Sequence, residues 1–389
     1  MISFIIPSYN NLKHLKNVYA SIQKHAPQAE VILLDDGSTD GTWEWIQRQD
    51  CIKYKSEERV GHTILYDKGI DMATNDIVGI LHADMIIGPN YVENMIKHLK
   101  PGTVVCATRI EPPLHPLGKE KIIQNFGTDF DSLDIPAFES FVSNSQNLHT
   151  GEVTKGMFAP WILYKKDFQA IGGHDPLFAP FPYEDSDIFQ RWILNGYNLI
   201  QSRDSFVYHL TCRGHRWNDQ VGKDDEYYKI VSHRASRNYL RKWGSWIKNN
   251  EYQYPIIPKK YNTAFIIHNC SLLLLEALEP WCDRIYVNEK FNTVGRAQDY
   301  IERESENTSF DLSKRVLNIK ENDPYSENDI ILEFDALKFS PEAFNIIQNL
   351  SDIITESGEV GQFELDCFKV TIHQLVDYSN ELIYIRANT

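Results

Sequence analysis

Val78-Gly79-Ile80-Leu81-His82-Ala83-Asp84-Met85 is the stretch on which the reading of the chain turns. Its first half carries the bulky and β-branched side chains of a covered strand. Its second half becomes polar. His82 and Asp84 lie two apart, so in extended geometry both point to the same side. A carboxylate and an imidazole placed that way could hold a divalent metal. The carboxyl end of a strand is also where open α/β sheets bind ligands. Taken alone, the pair is equally well explained by Asp84 capping the next turn and His82 packing in the interior. The flanking sequence has to decide.

Working outward, apolar strand patterns at 3–6, 31–34, 76–81 and 103–108 alternate with amphipathic helix patterns. That alternation predicts an α/β fold with a Rossmann-like, doubly wound, mostly parallel sheet. The run 31–34 has no polar interruption, as expected of a strand covered on both faces. It ends in Asp35-Asp36-Gly37-Ser38-Thr39-Asp40-Gly41-Thr42, a glycine-containing turn with several N-cap residues. A helix is expected over 63–73. From Arg109 to about Ser145 the alternation breaks in a Pro-, Gly- and Asp-rich excursion, long for a loop inside a domain. Its Arg109, Glu111 and His115 suit a pocket lining and solvated loop charges alike. Strands return at 156–164 and 205–210. A short helix at 168–171 is closed by Gly172-Gly173. Pro182-Tyr183-Glu184-Asp185-Ser186-Asp187 opens a further helix, where the acidic residues also suit the helix dipole. His209 sits at a strand end, ahead of the basic, aromatic loop Arg213-Gly214-His215-Arg216-Trp217.

At 389 residues the chain exceeds one compact core. The expected division is a first domain over 1–250, a two-proline linker over 251–263 and a smaller α/β domain over 264–389. The last is expected to contain strands at 264–268, 284–287, 329–334, 363–373 and 382–385, and no catalytic motif. A net charge of -15 disfavours nucleic acid and anionic membrane as bulk partners. The most apolar stretch, 264–278, is interrupted by His268, Asn269 and Glu276, so no transmembrane segment is expected. Met1-Ile2-Ser3-Phe4 enters a strand directly, without the basic region of a signal peptide. Six scattered cysteines with no C-x-x-C pair point to a reducing, cytoplasmic setting and away from structural zinc.

Over roughly residues 1–245 these landmarks resemble a family 2 glycosyltransferase of the glycosyltransferase A fold. Pro7-Ser8-Tyr9-Asn10 is similar to the family's first-strand motif, and 34–42 to its nucleotide-binding turn. His82-Ala83-Asp84 falls at the D-x-D metal motif, with Pro89 at the expected distance. Ile171-Gly172-Gly173-His174-Asp175 resembles the acceptor-site turn. Glu184-Asp185 followed by Arg191 resembles the element carrying the catalytic base, and His209 a position that often adds a metal ligand. His82 replaces the first Asp of D-x-D while Asp84 keeps the last. Leu65-Tyr66-Asp67 stands where Ala-Arg-Asn is common. The 213–217 loop lacks the Gln of the processive Q-x-x-R-W motif, which argues against a polymerase.

The resemblance implies an inverting transfer of a hexosyl or N-acetylhexosaminyl group from a nucleoside-diphosphate sugar, a UDP-sugar by preference, to a carbohydrate or glycoconjugate hydroxyl. Such chemistry needs the leaving diphosphate neutralised, the hydroxyl deprotonated and both held in line. Asp84 is the expected ligand for Mn²⁺ or Mg²⁺, His209 the second, and His82 a weaker ligand or an orienting group. Asp185 is the expected general base. Pro7, Ser8, Tyr9, Asp36, Asp67 and Ala83 are expected at the nucleotide sugar, with Tyr9 stacking on the base and Asp36 accepting from it. Arg213 and Arg216 are expected over the diphosphate. Gly173, Asp175 and Glu184 would meet the acceptor. Two other readings are weighed. A sugar nucleotidyltransferase needs a glycine-rich, lysine-containing loop after the first strand, where this chain has Pro7-Ser8-Tyr9-Asn10-Asn11. A non-catalytic nucleotide-sugar-binding module is suggested by His82 and by Leu65-Tyr66-Asp67.

Overall fold

The computed structural model describes residues 1–217, 220–288 and 293–382. The chain divides into two compact units. Among the described residues, one comprises Met1–Ser232 with Asn249–Ile256, the other His233–Lys248 with residues 257–382.

In the first unit the strands are β1 (Ile2–Ser8), β2 (Glu30–Asp35), β3 (Ile52–Lys55), β4 (Ile77–Ile80), β5 (Met85–Ile87), β6 (Thr103–Glu111), β7 (Lys121–Ile123), β8 (Val153–Thr154), β9 (Trp161–Tyr164) and β10 (Asn198–His209). The helices that bear on the site are α1 (Leu12–His25), α2 (Thr42–Ile46), α3 (His62–Met72), α4 (Tyr91–Ile96), α5 (Ile135–Gln146), α6 (Lys165–Ala170) and α7 (Glu184–Leu194). The main sheet runs β3-β2-β1-β4-β9-β6-β10-β5. The β1, β2, β3 and β4 pairings are parallel, as is β6 with β10. β9 runs antiparallel to both β4 and β6, and β5 antiparallel to β10. The mixed α/β fold with a mostly parallel sheet is the architecture the alternation of patterns predicts. Phe4, Ile5, Ile6, Ile32, Leu33, Leu34, Ile80 and Leu81 are all buried, which explains why these strands lack polar interruptions.

The stretch 109–145 is more ordered than its composition suggests. β6 continues to Glu111, and the 12-residue helix α5 closes the excursion. Asp134 caps that helix by accepting from Ala137 N, proline occupies its first turn, and Phe138 and Val142 are buried one turn apart. That start signal was in the sequence, hidden among the prolines. β10 begins at Asn198, seven residues ahead of the expected start at 205, with a register irregularity between Gln201 and Phe206. That irregularity breaks the apolar alternation by which a strand is recognised.

In the second unit a six-stranded sheet has the order 316–318, 284–287, 263–268, 330–335, 368–372, 361–365. The first four strands are parallel and the last two form an antiparallel hairpin. The single strand expected over 363–373 is therefore two, separated by Asp366 in the left-handed region (φ 55°). Ser379–Leu382 is a 3-10 turn, and the remainder of the strand expected at 382–385 lies outside the described residues. Glu279 is fully buried in this unit, where it accepts from Arg241, Arg315 and Tyr300.

Candidate active site

β4 ends at Ile80, and the chain reverses through His82–Asp84 into β5. β5 pairs with β10 in a register that sets His209 opposite Met85. Leu210 N donates to Asp84 O at 3.1 Å, which fixes the two strand ends together. Residues 125 positions apart thus converge because one sheet register requires it. Ligand atoms of His82, Asp84 and His209 all lie within 4.8 Å of one another. His209 Nε2 is 3.6 Å from Asp84 Oδ1.

These donors suit a divalent ion. His209 Nε2 is buried and has no hydrogen-bond partner among the described residues. A buried polar atom without a partner calls for an explanation, and a cation shared with Asp84 supplies one. Asp84 is 3% exposed, and its Oδ2 accepts from Arg213 N at 3.0 Å, leaving Oδ1 toward the histidines. His209 Nδ1 is 3.1 Å from Glu111 Oε1. Burial alone would raise the Glu111 carboxyl; the hydrogen bond from His209 and the charges of Arg109 and Lys121 hold it well below the usual range. Glu111 is 1% exposed, so it is not a solvated loop charge. Sequence reading weighed it without choosing. The available signal was a charged residue ending an apolar strand.

The second half of the site is the start of α7. Tyr183, immediately before it, adopts φ 82°, a conformation unfavourable for a bulky residue and one that concentrates at functional sites. Glu184 Oε1 is 2.6 Å from His62 Nε2. Burial pushes the Asp185 carboxyl up, and the neighbouring Glu184 charge adds to it, bringing it to about 7. Asp187 accepts from Arg191 at 2.7 Å. His62 links the two halves. Its ring lies 6.4 Å from that of His82 and 6.1 Å from that of His215, centroid to centroid. The buried Tyr66 hydroxyl is raised well above its ordinary value, first by burial and then by the charges of Asp185, Glu184 and Asp84 together. The rings of His62 and Tyr66 thus pack between the His82–Asp84 turn and the start of α7. His62, Tyr66 and His215 were not chosen from sequence; nothing in their spacing marks them.

Several residues expected at the donor have partners within the protein. Asp36 accepts from Val60 N at 2.7 Å and Gly61 N at 3.0 Å, one backbone donor on each carboxylate oxygen. It ties down the loop at Val60–Gly61. The Arg59 guanidinium covers one face of the Tyr9 ring, 3.9 Å from the centroid, so stacking on that face is already taken. Pro7 and Ser8 are buried at the end of β1, and Ala83 is 7% exposed. Arg213 meets Asp84 through its backbone, while its guanidinium bonds Thr128 O and approaches Asp129. Arg216 pairs with Asp224 at 2.7 Å. Each guanidinium thus has an acceptor within the protein.

Asp67 also has a structural occupation. It is 3% exposed and takes both the backbone N and the ring Nδ1 of His174, the latter at 2.7 Å. From the other side, Arg191 donates to Gly173 O at 2.7 Å and to Ile171 O at 3.2 Å. The 171–174 turn is thus clamped between α3 and α7. Gly173 has φ 73°, and a Cβ there would lie 2.2 Å from Asp67 Oδ2, so only glycine fits. Asp175 accepts from Leu177 N and starts the 3-10 turn Pro176–Phe178. Glu184 is 5% exposed and bonded to His62.

The fold is a mostly parallel α/β sheet with a carboxylate–imidazole cluster at its carboxyl edge and a raised carboxyl at the start of α7. Residues 3–158 match the family model of glycosyl transferase family 2. The chain is 26% identical over 113 residues to a dolichol-phosphate mannosyltransferase of Pyrococcus furiosus, covering 27% of this chain and 32% of that protein. It is 30% identical over 132 residues to a poly-β-1,6-N-acetyl-D-glucosamine synthase of Staphylococcus epidermidis, covering 32% of each. The chain thus spans about a third of the length of these relatives. Among solved structures it is similar to a mannosyltransferase from Pyrobaculum calidifontis in complex with GDP-Man and Mn²⁺, at 17% identity and a TM-score of 0.42, covering 62% of this chain and 63% of that one. No helix among the described residues is long and apolar enough to cross a membrane.

Proposed function

We propose that the protein is a metal-dependent, inverting glycosyltransferase that moves a sugar from a nucleoside-diphosphate sugar to an acceptor hydroxyl. The observation that carries this reading is the packing of His62 and Tyr66 between the His82–Asp84 turn and the start of α7: both rings lie 6.4 Å from that of His82, and His62 Nε2 is 2.6 Å from Glu184 Oε1. When bound by Asp84, His209 and His82, a divalent ion would act as a Lewis acid toward the leaving diphosphate. Asp185 takes the proton of the incoming hydroxyl. A carboxyl near neutrality is matched to that task, ionised often enough to act and basic enough to accept. One base and one displacement give inversion at the anomeric carbon. Glu184, held as a carboxylate by His62, keeps Asp185 the more basic of the pair. The relatives are named for mannosyl transfer to dolichol phosphate and for poly-N-acetylglucosamine synthesis, which supports a hexosyl or N-acetylhexosaminyl donor. A UDP-sugar and a glycoconjugate or polysaccharide acceptor are the substrates we favour.

The test is a thermal-shift and donor-hydrolysis panel of UDP-, GDP-, CDP- and dTDP-sugars, with and without Mn²⁺. One donor class should stabilise the protein in a Mn²⁺-dependent way and be slowly hydrolysed. Binding without hydrolysis or transfer to any acceptor would favour the non-catalytic binding module. No response to any donor would remove both.

A further inference from the structure

We propose that Glu111 is a positioning residue for the cation at Asp84, acting through His209. This rests on the metal reading given above. His209 reaches the cluster with Nε2 and meets Glu111 with Nδ1, on the opposite side of the ring. Glu111 is therefore not itself a ligand. It is held as a carboxylate by Arg109 Nη1 at 2.7 Å and Lys121 Nζ at 3.0 Å. An ionised carboxylate only accepts, so the proton between it and His209 belongs to Nδ1. A neutral imidazole with its proton on Nδ1 has its lone pair on Nε2. That is the buried nitrogen without a hydrogen-bond partner in the cluster. The carboxylate thus selects the tautomer, aims the ring and makes the nitrogen a stronger donor.

The support is built into strands. The β6–β10 register pairs Ile110 with Tyr208, which brings the next residues, Glu111 and His209, side by side. The β6–β7 register pairs Arg109 with Lys121, one cation from each strand. The Arg109 guanidinium packs 3.6 Å from the centroid of the Phe158 ring, which fixes the far end of the chain of contacts. Strand-mounted partners hold a ligand more tightly than loop residues do.

The experiment measures Mn²⁺ affinity on the full chain by electron paramagnetic resonance, with no donor present. It compares wild type, Glu111→Gln, Glu111→Ala, His209→Ala and the double variant Glu111→Gln/His209→Ala. Glu111→Gln keeps shape and an acceptor oxygen; circular dichroism checks its fold. Glu111→Ala should lose roughly 10–100-fold in Mn²⁺ affinity, and Glu111→Gln a smaller factor. In the His209→Ala background Glu111→Gln should have no further effect, which a general packing role would not produce. Wild-type affinity in Glu111→Gln, or an equal loss with and without His209, overturns the proposal while leaving the metal site intact. A wild-type chain that does not bind Mn²⁺ overturns the metal reading and this inference with it.

Discussion

His62 and Glu184, 122 positions apart, meet with Nε2 2.6 Å from Oε1. The contact joins the start of α3 to the start of α7 and sets the charge state beside Asp185. Burial opposes the Glu184 charge, but the His62 charge and hydrogen bond hold it below its ordinary value, while Asp185 is raised to about 7. A base must be deprotonated to act, so kcat/KM should rise with pH through about 7. Glu184→Gln removes a negative neighbour and should move that limb to lower pH. A pH–rate profile in which the limb stays put or moves upward would contradict the assignment.

Asp185→Asn should lower transfer by roughly 10²–10⁴-fold, with Mn²⁺ and donor affinity nearly unchanged. Stability should shift the other way. A carboxyl whose folded pKa is raised contributes stability that is full at low pH and lost as pH rises through the folded value. The asparagine variant should therefore melt above wild type at pH 8, with the gap narrowing as pH falls below about 7 and closing at about pH 4, the ordinary range of an unfolded Asp. Differential scanning calorimetry at both pH values decides it.

Asp84→Ala, or removal of divalent ions with EDTA, should abolish the metal-stimulated part of donor binding. Titration calorimetry with a donor that responds in the panel measures this. Donor affinity independent of metal and of Asp84 would count against the cation site.

Gly61 has φ 90°, and a Cβ there would fall 2.2 Å from Pro180 Cα and 2.4 Å from its carbonyl oxygen. Gly61→Ala should cost more than about 1 kcal/mol of stability, read by urea unfolding. Pro180 lies just ahead of α7 and accepts from Thr63 at 2.9 Å, so transfer should fall with stability. Unchanged unfolding would mean that the segment yields without strain.

In the second unit Glu279 is buried among Arg241, Arg315 and Tyr300, and those charges depress its carboxyl to about 2 against the opposing effect of burial. Its stabilisation is present above the unfolded carboxyl value and is lost as pH falls toward the folded one. Glu279→Ala should cost about 3–5 kcal/mol at pH 7, since it strands buried arginines. The penalty should shrink below about pH 4, the ordinary range of an unfolded Glu. A pH-independent penalty would point to packing alone.

The sequence by itself determined the α/β alternation, the strand end at His82–Asp84, the acidic opening of the helix at 184 and the order of motifs that resembles family 2. Those features are local: apolar runs, turn residues and caps are read from a few neighbours at a time. Only the tertiary structure decided which polar groups are already bound and which are open. Asp36, Asp67 and Arg216 look like ligand contacts in the sequence, yet each is bonded to the backbone, to His174 or to Asp224. Glu111 and His62 look incidental, yet sheet register and helix packing bring them to His209 and Glu184. A side chain's chemistry belongs to the residue, but its remaining hydrogen-bonding capacity belongs to its neighbours in space, and those come from strands and helices distant in the chain.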